Sequence, residues 1–102
     1  MPVQPRDIRN YIAPTGKEPF EEWLQSITDT KTRAIIRTRL NRVRMGNFGD
    51  SKSLGDDVYE LRVHYGPGYR IYFAEWDGTI IILLCGGSKR SQNRDIRRAK
   101  KY

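Results

Sequence analysis

Cysteine is almost missing from this chain of 102 residues: Cys85 is the only one, so no internal disulfide can form and no cysteine-based metal set exists. Long apolar runs are missing too. The run Ile80-Ile81-Ile82-Leu83-Leu84-Cys85 falls far short of the ~20 residues that cross a bilayer, and it makes Cys85 a small core residue. Met1-Pro2-Val3-Gln4-Pro5-Arg6 has no apolar core of the signal-peptide kind, and the expectation is a soluble, cytoplasmic protein without a membrane partner. Repeats, linkers and low-complexity tracts are absent as well. Residues 1–102 therefore read as one small domain with a single modest core.

What the chain has is positive charge. Lys and Arg total 19 against 12 Asp and Glu, a net charge of +7. Residues 31–44 hold six basic and no acidic residues, and residues 89–102 hold seven basic and one acidic. The remainder has 6 basic and 11 acidic residues, so two segments carry the whole excess. Such patches favour polyanions through phosphate neutralisation and counterion release. The same field would attract an acidic protein partner, and two solvated basic helix faces would give the same counts.

The order of elements follows from apolar spacing and turn residues. Residues 6–12 alternate loosely and read as a first strand, ended by Pro14, Thr15 and Gly16. Pro19 suits a first helical turn, and Phe20, Trp23, Leu24 and Ile27 follow at i, i+3, i+4 and i+7. Thr28-Asp29-Thr30 supplies a cap for a second helix over about 31–44, with Ile36, Leu40 and Val43 inward; Gly46 and Gly49 stop it. Residues 51–54 read as a short strand. Three longer strands follow, joined by Gly66-Pro67-Gly68 and by Asp77-Gly78, a hairpin signal. The run 80–85 is apolar on both faces, as in a central strand covered twice. From Ser91 onward only Ile96 and Ala99 mark a short basic helix. The expected fold class is α+β: a helical hairpin packed on a mainly antiparallel sheet, then a short basic C-terminal helix.

Two of these strands carry arginine among apolar residues, which is costly unless the side chain meets water or an anion. Alternation puts Glu60, Arg62 and His64 on one face and Tyr59, Leu61 and Val63 on the other. A sheet face gathering Arg62, Arg70 and Lys89 reads as a phosphate site. On the Arg70 face, Tyr72, Ala74 and Trp76 should follow, with Tyr69, Ile71 and Phe73 in the core. Tyr69, Tyr72 and Trp76 offer stacking platforms for bases or serve strand packing.

The chain resembles the RelE/ParE superfamily of bacterial toxins from type II toxin–antitoxin modules, in its HigB-like branch of addiction-module killer proteins. The resemblance spans nearly all of the chain. It rests on Phe20-Glu21-Glu22-Trp23-Leu24, Tyr59-Glu60-Leu61-Arg62, Gly68-Tyr69-Arg70-Ile71-Tyr72-Phe73, Leu84-Cys85-Gly86-Gly87-Ser88-Lys89 and Asp95-Ile96-Arg97-Arg98-Ala99-Lys100. It implies a RelE-like fold and a cofactor-free, metal-independent endoribonuclease that cuts mRNA on the ribosome. The ribose 2′-OH would attack the adjacent phosphate, leaving a 2′,3′-cyclic phosphate and a 5′-OH. That chemistry uses a base, cations around the phosphorane charge and an acid for the leaving oxygen. By resemblance Arg62 and Arg70 hold the phosphate, and Arg90, or Lys89 beside it, serves the leaving group; Lys52, His64 and Arg94 complete the expectation as RNA-binding positions.

RelE carries a lysine where this chain has Glu60, and a terminal-helix tyrosine where it has Ile96. Glu60 suits a general base, since a carboxylate beside arginines stays ionised; it equally suits a pair with Arg62 or Arg70. His64 has the pKa for proton transfer near neutrality, or is an exposed histidine beside a turn. The implied partners are a cognate antitoxin in a hetero-oligomer, the ribosome and mRNA. ParE-like members instead poison DNA gyrase without cutting RNA.

Overall fold

The computed structural model of the protein describes residues 5–102; of the stretch Met1–Arg6 from which the expectation about a signal peptide is drawn, residues 1–4 lie outside them. Strand β1 (Asp7–Asn10) leads to helices α1 (Pro19–Ser26) and α2 (Thr30–Arg44). Strands β2 (Ser51–Gly55), β3 (Val58–Val63), β4 (Tyr69–Trp76) and β5 (Ile80–Ser88) follow. A 3-10 turn over Lys89–Ser91 leads into α3 (Gln92–Lys101). The sheet order is β1-β5-β4-β3-β2. Only β1 runs parallel to its neighbour β5; the other pairings are antiparallel.

Local chemistry sets these elements. Pro19 opens α1, where its missing N–H is no loss. The Asp29 carboxylate caps α2, accepting the Lys31 amide at 3.2 Å and the Thr32 hydroxyl at 2.6 Å. Arg42 and Arg44 fall in the last turn of α2, where the helix dipole favours cations. Asp77 (φ 57°) and Gly78 (φ 67°) turn β4 into β5 with the backbone that the Asp-Gly pair predicts.

Phe20 and Leu24 of α1 and Ile36, Leu40 and Val43 of α2 pack on Leu61, Val63, Ile71, Phe73, Ile81 and Leu83. Full burial of each large apolar side chain contributes about 1.5–3 kcal/mol. The opposite face is not open. Helix α3 lies there, with Ala99 and Ile96 packed around Val58, Tyr72, Leu84 and Cys85. Strand β5, between β1 and β4, is thus covered from both sides, as its apolar run implies.

A bulge makes room for the two layers. The β4–β5 register jumps between Tyr72–Cys85 and Phe73–Leu83, leaving Leu84 extra. Leu84 and Cys85 therefore both join the cluster beneath α3. Beyond them Gly86 meets α1 and Gly87 meets α3. A Cβ on Gly86 would sit 2.2 Å from the Trp23 ring, and one on Gly87 1.9 Å from Asp95 Oδ2.

Candidate functional site

Cross-strand register builds a polar cluster on the α3 face. Arg62 stands directly opposite Arg70, and Glu60 directly opposite Tyr72. Two like charges facing each other destabilise a sheet unless an anion sits with them. Glu60 is that anion. It is 0% exposed; its Oε1 accepts from Arg62 Nε at 3.1 Å and lies 3.8 Å from Arg70 Nε. Its Oε2 accepts from Gln92 Nε2 of α3 at 2.7 Å. The anion required by the strand arginines is thus supplied from within the chain, and the Glu60–Arg62 pairing foreseen for β3 is present.

The cluster continues along the sheet. Arg70 is 8% exposed, much deeper than an open phosphate-binding face would leave it. A Cβ on Gly68 would lie 3.8 Å from Arg70 Nη1 and 3.9 Å from Lys89 Cβ, so the Arg70 guanidinium and the root of Lys89 converge there. Gly68 also ties the two strand ends together, its carbonyl accepting the Lys89 amide at 3.0 Å. Lys89 and Arg90 are both exposed in the 3-10 turn.

The other expected residues are more dispersed. Lys52 on β2 is exposed and stands opposite Glu60. His64 stands one residue beyond the end of the strand that carries Glu60 and Arg62. Strand β3 ends at Val63, and the exposed His64 ring pairs with the Asp50 carboxylate. That hydrogen bond is the main reason the Asp50 carboxyl lies below its usual range, with Arg62 and Arg39 assisting. Arg94 is exposed on α3, its Nε 3.6 Å from Asp95 Oδ1.

The aromatic alternation holds: Ile71 and Phe73 are in the α1–α2 core, where Tyr69 packs, and Tyr72 and Ala74 face α3. Tyr72, however, is 0% exposed and so cannot stack on a base; Trp76, at the outer end of β4, is exposed. Burial first, then the Glu60 and Asp95 carboxylates, pushes the Tyr72 phenol well above its ordinary value. Burial likewise pushes the Cys85 thiol up to about 12, which fits a core residue and not a nucleophile.

Gln92, Asp95 and Ser91 are further polar residues on the α3 face that sequence reasoning did not single out as site candidates. Asp95 is 1% exposed, accepts from Ser91 Oγ, and lies 3.7 Å from Arg98 Nη1. One signal was available: Asp95 is the lone acid among seven bases. Among the described residues no three His, Cys, Asp or Glu side chains come together to share a metal ion, and no helix is long and apolar enough to cross a membrane.

A protein of Haemophilus influenzae known only as uncharacterized is 44% identical over 81 residues, covering 79% of this chain and 82% of its own. The family model for phage-derived Gp49-like proteins matches residues 22–101, which takes in both core helices from Glu22 onward, the polar cluster and α3. That family is consistent with a toxin acting in a toxin–antitoxin partnership. The chain belongs to the Gp49-like family of phage-derived proteins (DUF891).

Proposed function

We propose that this protein is the toxin of a type II toxin–antitoxin pair and inhibits translation by cutting mRNA, most effectively on the ribosome. The observation that carries the reading is the row formed by Arg62 and Arg70 on paired strands, bound to a buried Glu60 and continued by Lys89 and Arg90 at the end of β5. A set of cations fixed in place before the substrate arrives stabilises charge that develops on a phosphorane. Arg62, with its side chain 30% exposed, and the exposed Lys89 and Arg90 would contact the phosphate, and Arg70 would hold the row in register from below.

In this reading Glu60 is a positioning residue. Both its oxygens are engaged by Arg62 and Gln92, and no part of it reaches solvent. The 2′ oxygen would bond to phosphorus as the bond to the 5′ oxygen breaks; the 2′ proton would pass to solvent water, and the 5′ oxygen would take a proton from water or from the Lys89 ammonium, leaving a 2′,3′-cyclic phosphate and a 5′-OH. Lys89 or Arg90 would meet the departing oxygen. No metal is assigned a step.

The test is cleavage of a defined mRNA by purified protein with bacterial ribosomes in a chelating buffer, with end-group analysis. Cyclic-phosphate and 5′-OH ends are expected, and in cells translation should stop before DNA replication. An early halt in DNA synthesis with an SOS response, and intact mRNA, would show a gyrase poison instead.

A further inference from the structure

A second basic groove, of about 500 Å³, lies between α2 and the β2–β3 side of the sheet. Arg39, Arg42 and Arg62 line it together with the His64–Asp50 pair. Arg39 is fixed in place. Its Nη2 donates to the backbone carbonyls of Phe48 and Asp50, and its guanidinium lies so close to Gly49 that a Cβ there would be 2.7 Å from Nη2. Gly49 has φ +61°, so glycine is favoured there by conformation as well as by space.

The charges of this groove are poorly matched from within. Arg39 and Arg42 have no ion pair among the described residues, since carbonyls are neutral acceptors. Asp50 is directed to His64, and Arg62 to Glu60. Burial first, then the Arg42 charge, lower the pKa of Arg39; the Asp50 carboxylate opposes them but does not cancel them, so the guanidinium would still gain from a further anion. Ile35 and Val63 add apolar surface beside these donors.

We propose that this groove binds a phosphate of single-stranded RNA, with Arg39, Arg42 and Arg62 donating to the phosphate oxygens and Ile35 and Val63 receiving the adjoining sugar or base. Guanidinium groups present paired donors that match phosphate oxygens. Arg62 belongs both to this groove and to the Glu60 cluster, so a strand held at the cluster continues into the groove without a gap in cationic contact. That continuity favours RNA over an acidic peptide. The proposal rests on the ribonuclease reading and adds a substrate-binding subsite to it.

The probe is a labelled single-stranded RNA oligonucleotide with 2′-O-methyl groups, which block cleavage, measured by fluorescence anisotropy over a salt series. Arg42 is exposed and is the better target, because Arg39 also supports the Phe48–Asp50 loop. Arg42→Ala should weaken binding about tenfold and flatten the log Kd–log salt slope by about 0.7, the loss of one phosphate contact on a single strand. Arg37→Ala is the control: it removes the same charge from the same helix but in another groove, beside Phe20 and Leu40. Equal weakening by both variants would show a general field and overturn the proposal. So would unchanged RNA binding by Arg42→Ala, or a selective loss of affinity for poly-glutamate. If the wild type cuts RNA while Arg42→Ala binds and cuts normally, only the subsite fails. If the wild type neither binds nor cuts RNA, the ribonuclease reading fails and the subsite with it.

Discussion

Tyr72 is a large, fully buried side chain whose hydroxyl has no hydrogen-bond partner among the described residues. A buried hydroxyl without a partner costs about 1–3 kcal/mol, so Tyr72→Phe should stabilise the fold. A rise of several degrees in melting temperature is expected; a fall would show that the hydroxyl is bonded. Glu60 behaves oppositely. Removing one member of a buried ion pair costs about 3–5 kcal/mol, and Glu60→Ala would leave Arg62 and Arg70 facing each other with no anion between them. Glu60→Gln keeps the shape and separates the two roles that the residue allows. As a positioning residue its loss lowers stability and raises KM, while the pH–rate profile keeps its form. If Glu60 were the base, the acidic limb of that profile would vanish while substrate affinity stayed intact. The strand arginines and Glu60 were legible from alternation because a period of two fixes which side chains share a face. Their burial was not legible, because it depends on α3, a helix with only Ile96 and Ala99 to mark its inner side.

At the scale of elements, Gly87 and Asp29 decide where helices sit. Gly87 lets α3 approach β5 so closely that Ser91 Oγ and Asp95 Oδ2 occupy the space of a Cβ. Gly87→Ala should destabilise the protein by about 1–3 kcal/mol, the usual cost of overpacking. Hydrogen exchange should quicken in α3 and not in α2; uniform protection across both would show that α3 adapts without strain. Asp29 sets the start of α2. Its carboxyl lies below the ordinary 3.8 because the Thr32 hydroxyl and then the Lys31 amide bind its ionised form. A carboxyl lowered in the folded state stabilises above its unfolded value, and that contribution is lost as pH falls through the folded value. Asp29→Ala should therefore melt below the wild type at pH 7, and the gap should narrow once the pH drops below 3.8. A gap constant with pH would remove the carboxylate from the cap. Both α1 and α2 were readable from their stripes and punctuation. The bulge at Leu84 was not, since the run 80–85 is apolar throughout and no residue in it signals the extra position.

For the whole molecule, the two basic segments do not merge into one patch. Residues 31–44 lie on the side of the sheet covered by α1 and α2, and residues 89–102 form the turn and helix that cover the other side. Arg62 links the two sides: it bonds Glu60 beneath α3 and also lines the groove beside α2. An antitoxin has two ways to silence such a surface. An acidic segment that folds on binding could cover Arg62, Lys89 and Arg90, blocking RNA directly. A mainly apolar segment seated between α1 and α2, away from the Arg39–Arg42 groove, would block only entry into the ribosome. The exposed Lys89 and Arg90 beside Arg62 favour the first, because an anionic segment gains where cations have no ion pair of their own among the described residues. Calorimetry over a salt series distinguishes the two. The expected complex weakens as salt rises, and weakens further with Arg62→Ala plus Lys89→Ala, both at partly or fully exposed positions. A tight complex indifferent to salt and to that double substitution would place the antitoxin on the helical face and leave the cationic row free in the inhibited state.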